Sequence, residues 1–122
     1  MRMLIAIFPT LLLVVYGQLI IKWRVDLLSE AMKGAPNLLA RLSIYLQDPY
    51  IISSYLAALA GSAAWMFVVE KYAISIAFPI YVGLTVVAVA IGGCLFFNEA
   101  LTLTKIASIL LIILGVAIGS SV

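Results

Sequence analysis

The chain has 122 residues, of which 66% are hydrophobic and 10% charged, with a net charge of +2 and a mean hydropathy of +1.29. Soluble domains run at about 45–50% apolar and about 25% charged, so this composition excludes a water-soluble fold and requires a bilayer as solvent. Histidine is absent and the single cysteine, Cys94, lies in an apolar stretch, so no disulfide framework, metal-ligand spacing or nucleophile–base pair can be assembled. We therefore expect no enzyme, no cofactor, no metal site and no nucleic-acid partner.

The charges mark out the spans. Arg2 and Lys22 bracket 19 uncharged residues, Asp48 and Glu70 bracket 21, Lys71 and Glu99 bracket 27, and Lys105 is followed by 17 more. A helix of about 17–25 apolar residues crosses a bilayer, so the pattern predicts four helices, at about 3–21, 49–69, 73–97 and 104–121. The expected fold class is all-α: a single four-helix transmembrane domain over 1–122. The first helix is expected to be retained, because its apolar core exceeds that of a signal peptide and no A-x-A-like site follows.

In the first helix, LLLVVYGQLIIKWR places Val14, Gln18 and Lys22 at i, i+4, i+8, with Thr10 one turn further out, so they form one stripe. Glutamine among apolar residues needs a partner helix or a polar cavity, and a lysine at the helix end can snorkel or hold an anionic headgroup. Residues 22–48 form the only sizeable polar segment. Trp23, Leu27, Leu28, Ala31 and Met32 follow helical spacing, Gly34 and Pro36 break it, and Asn37 offers a cap for a short helix over 38–46. This segment is expected to lie on the membrane surface, apolar side chains inward and Arg24, Lys33 and Arg41 at the headgroups.

The second helix carries Ala57, Gly61 and Ala64 at i, i+4, i+7, which allows close helix approach. The third opens YAISIAFPIYVG, where Pro79 removes a backbone donor and Gly83 follows one turn on, so a hinge is expected there. Glu99 is expected at the positive end of the fourth helix, near Thr102 and Thr104. Gly115-x-x-x-Gly119 makes the fourth helix the candidate dimer seam. Loops 1 and 3 hold five Lys or Arg against two on the other side, which predicts those loops in the cytoplasm and both termini outside.

GQLIIK, Trp65, SIAFPIYVGL, FFNEALT and KIASILLIILGVAIG, in that order, resemble the small multidrug resistance proteins and their relatives in the drug/metabolite transporter superfamily. The resemblance covers all four helices. It implies two four-helix subunits, a homodimer or a heterodimer with a paralogous small transporter, around a shared site in a cell's inner (plasma) membrane. It also implies a substrate site at Val14, Gln18, Lys22, Trp65, Phe78 and Tyr81. The drug-exporting branch would place a glutamate at the position of Val14. Its absence, together with the Gly-Gln pair, the lysine and the Ala-aromatic-Pro, brings the chain closer to the aminoarabinose-phosphoundecaprenol flippase subunits, which implies a polyprenyl-phosphate-linked sugar as substrate. Two alternatives stay open: an exporter of a small metabolite or cation, and a non-transporting accessory subunit of a membrane glycosyltransferase.

Overall fold

The computed structural model describes residues 2–121. Six helices follow one another: α1 (Arg2–Leu27), α2 (Ser29–Met32), α3 (Leu38–Leu46), α4 (Pro49–Lys71), α5 (Ile74–Phe96) and α6 (Leu103–Ser120). Four of them, α1, α4, α5 and α6, are long and apolar enough to cross a membrane, and the chain is an all-α polytopic membrane protein.

The expectation that the first helix ends at residue 21 is corrected. At 26 residues α1 is about 39 Å long at 1.5 Å per residue, against roughly 30 Å of hydrocarbon, so its last turns stand at the membrane surface. No glycine or proline stops it, and Lys22 Nζ donates to Asp26 Oδ1 at 3.1 Å one turn on, which favours continued helix. The other three spans lie within two residues of the charge-bracketed ranges.

Caps set the boundaries. Asn37 accepts from the Ala40 N–H at 2.9 Å and starts α3; Asp48 accepts from the Tyr50 N–H at 2.8 Å ahead of Pro49 and starts α4; Thr102 accepts from the Lys105 N–H at 3.2 Å and starts α6. At the far end of α5, Asn98 takes a positive φ of 53° and the Gly93 carbonyl accepts from Phe97 N–H. The Glu99 carboxylate folds back over Gly93 rather than onto the start of α6, so the expected helix-terminus role belongs to Thr102. On α3, Leu38, Leu39, Leu42 and Leu46 form one exposed apolar face, the pattern of a helix lying in the interface.

Between membrane helices lipid gives no hydrophobic drive, so small residues govern approach. A Cβ on Gly17 would stand 3.2 Å from the Ser54 carbonyl oxygen and one on Gly61 would meet Val14 at 3.4 Å, which brings α1 and α4 together along their length. Gly92 receives the Leu19 side chain and joins α5 to α1, while Gly83 receives Val116 and Ile112 and joins α5 to α6. Ile7, Val68, Ala77 and Ile80 form the buried core, at the end of the bundle away from α2 and α3. α6 packs on α5 and buries no residue.

Candidate functional site

Just inside this core, α1, α4 and α5 leave a cavity of about 210 Å³ lined by Thr10, Val14, Gly61, Ser62, Trp65, Phe78 and Tyr81. Gly61 keeps its wall thin: a Cβ there would already reach van der Waals contact with Val14 at 3.4 Å and the Thr10 carbonyl oxygen at 3.7 Å. Trp65 anchors an aromatic group: its ring centroid lies 5.0 Å from that of Tyr81 and 6.1 Å from that of Phe78, and the latter two are also 6.1 Å apart. These separations suit offset and edge contacts between rings. Thr10 is 2% exposed and its Oγ1 has no hydrogen-bond partner among the described residues. A buried hydroxyl left in that state costs about 1–3 kcal/mol, which a hydroxyl supplied by a ligand would recover. No charged group lines the cavity.

Four of the six residues expected to bind substrate, Val14, Trp65, Phe78 and Tyr81, therefore meet at one cavity. Gln18 and Lys22 do not line it. Gln18 is exposed without a hydrogen-bond partner among the described residues, and Lys22 is half-exposed in its pair with Asp26. The stripe thus splits at mid-helix, Thr10 and Val14 facing the cavity and the lower half facing outward. Ser62 was not legible as a lining residue; the signal for it was its i, i+3 spacing to Trp65. Pro79 lies in the second turn of α5, which runs unbroken through it, and Gly83 is engaged by α6. Both also line a second, larger groove of about 680 Å³ between α5 and α6, together with Gly115 and Gly119. A Cβ on Gly115 would meet nothing within 4 Å, whereas one on Gly119 would touch Ile80 at 3.7 Å.

A polar cluster at the other end of the bundle was not anticipated. Arg24 Nε donates to Asp48 Oδ2 at 2.7 Å, and the guanidinium carbon stands 5.0 Å from the Trp23 ring centroid and 4.9 Å from that of Tyr50. Burial pushes the Asp48 carboxyl up, but the Arg24 hydrogen bond, the Tyr50 N–H, the guanidinium charge and the Ile51 N–H together hold it below its ordinary value. Next to Trp23 a groove of about 400 Å³ is lined by Tyr16, Leu19, Ile20, Trp23, Phe96 and Phe97. The Tyr16 hydroxyl shares a hydrogen bond of 2.9 Å with that of Ser53.

Comparison of the chain with protein-family models, curated proteins and solved structures finds no match.

Proposed function

We propose that the protein is a transport subunit of the small multidrug resistance-like class that its motifs resemble, and that it moves a polyprenyl-phosphate-linked sugar across a cell's inner membrane. One observation carries this reading: the cavity of Thr10, Val14, Ser62, Trp65, Phe78 and Tyr81 offers hydroxyls and ring faces but no charge. A sugar ring matches that pattern, with apolar C–H faces for Trp65 and Tyr81 and hydroxyls for Thr10 and Ser62. Drug-sized ligands take clefts of about 300–1,000 Å³, so a cavity of about 210 Å³ suits a single ring while the isoprenoid tail remains in lipid. Lys22 faces outward about 12 Å further along α1 than Val14, so on this reading it meets the phosphate before the sugar enters the cavity, and its exposed pair with Asp26, which contributes only about 0–1 kcal/mol, is readily exchanged. Function as a dimer through α6 belongs to this reading: Gly115 is open to a neighbouring helix.

A cation exporter is the competing reading, and the three rings favour it in part, because aromatic faces attract cations. It lacks a carboxylate. A desolvated cation with no counter-ion costs several kcal/mol, and Val14 cannot exchange a proton for it. Reconstituted vesicles should show no proton flux on addition of quaternary ammonium compounds, while the purified protein should retain a polyprenyl-phosphate sugar detectable by mass spectrometry. Robust proton antiport with no retained isoprenoid lipid would overturn the proposal.

A further inference from the structure

The cluster around Arg24 does no work in the reading above. Lys22 and Arg24 are two residues apart and so point to different sides of α1, and the cavity lies on neither Trp23 nor Tyr50. We propose that Arg24, held by Asp48 against the edge-to-face pair of Trp23 and Tyr50, and the adjoining groove of Tyr16, Leu19, Ile20, Phe96 and Phe97 form a site for an anionic phospholipid. The guanidinium holds the headgroup phosphate and one acyl chain fills the groove.

Three features support that occupant. First, the guanidinium is held in place by its Nε bond and two ring faces, yet makes no other hydrogen bond among the described residues, and its side chain is 20% exposed. Its Nη groups stay available in the fork geometry that suits phosphate. Second, Asp48 engages only the Nε side of the guanidinium, and the Tyr50 N–H on its other oxygen and the positive end of α4 offset part of the carboxylate charge, so the outward edge of the fork keeps a positive potential. Third, Trp23 belongs to both parts of the site: one neighbour is the guanidinium and the other is the apolar groove. An amphiphile with a negative head and an aliphatic chain satisfies both at once, at the depth where α1 leaves the hydrocarbon.

The test uses the full-length protein with Trp65→Phe, which leaves Trp23 as the sole tryptophan. Its fluorescence is followed in vesicles of mixed composition as phosphatidylglycerol or phosphatidylcholine carrying brominated acyl chains is added. We expect phosphatidylglycerol to quench Trp23 with an apparent affinity roughly tenfold or more above that of phosphatidylcholine. Arg24→Gln should abolish the preference. Ile20→Phe, which leaves the guanidinium and its clamp intact and fills the groove, should weaken quenching by either lipid several-fold, and keeps the test decisive if Arg24→Gln does not fold. Equal quenching by the two lipids, a preference that survives Arg24→Gln, or quenching unmoved by Ile20→Phe would each overturn the proposal. So would a Trp23 shielded from both lipids whose groove variant instead changes crosslinking between copies, since a second copy would then be the occupant.

Discussion

Thr10 separates stability from function at a single atom. Its buried hydroxyl has no partner among the described residues, so Thr10→Val removes an unsatisfied polar group at nearly constant volume and should raise the free energy of unfolding in detergent by about 1 kcal/mol. The same change should reduce retention of the lipid-linked sugar, because the hydroxyl it removes is the one the ligand satisfies. A Thr10 that merely packs would gain the same stability and leave binding alone. Asp48 gives a pH dependence of defined sign. Its carboxyl is held below the ordinary value in the folded protein, so the stability it contributes is present above about pH 4 and is lost as pH falls further, through the lowered folded value. Thermal denaturation from pH 7 to pH 3 should show an acid limb that Asp48→Asn reduces, asparagine still capping α4. Lys22→Gln should weaken retention of the lipid-linked sugar by roughly 10- to 150-fold if the lysine bonds phosphate, against little change for Lys105→Gln, whose ammonium serves the Ala100 carbonyl.

Glycines decide how the helices meet, and two of them predict opposite outcomes. At Gly17 the obstacle is the Ser54 backbone carbonyl, which cannot swing aside, so Gly17→Val should force α1 from α4 and cost about 1–3 kcal/mol, seen as a lower melting temperature in detergent. At Gly115 a side chain meets nothing in the same chain, so Gly115→Ile should leave that melting temperature unchanged while weakening association in native membranes by about 1 kcal/mol or more, read by crosslinking. An unchanged dimer population would move the seam away from α6. The spans were legible because lipid imposes one rule on composition: charges at Arg2, Asp48, Glu70, Lys71, Glu99 and Lys105 mark the boundaries to within three residues, and Lys22 misses by five. Asn37 likewise announced α3. The extension of α1 to Leu27 was not legible, because Lys22 reads equally as the end of a span and as the first partner of an i, i+4 pair.

At the scale of the whole molecule, long-range pairing was the least legible feature. Arg24 and Asp48 are separated by the full length of loop 1, and a charge count places both at the same surface without joining them. The aromatic cavity was half legible: Val14, Trp65, Phe78 and Tyr81 came from motif order, whereas the exclusion of Gln18, one turn from Val14 and exposed, depends on how the helices cross. The basic bias predicts an orientation with loops 1 and 3 in the cytoplasm. Cysteines placed singly at Ala35 and Ser121, with Cys94 replaced, should be labelled from opposite sides of the membrane, and labelling of both from one side would contradict a single four-span orientation. The central claim is that an uncharged cavity handles the sugar of a lipid-linked substrate. It is tested most directly by following, in proteoliposomes, the transfer of a polyprenyl-phosphate-linked sugar between leaflets for the native protein and for Thr10→Val and Trp65→Ala at matched reconstitution. Transfer above protein-free vesicles that both substitutions suppress is the predicted result; transfer equal to protein-free vesicles, or transfer indifferent to both substitutions, would contradict the account.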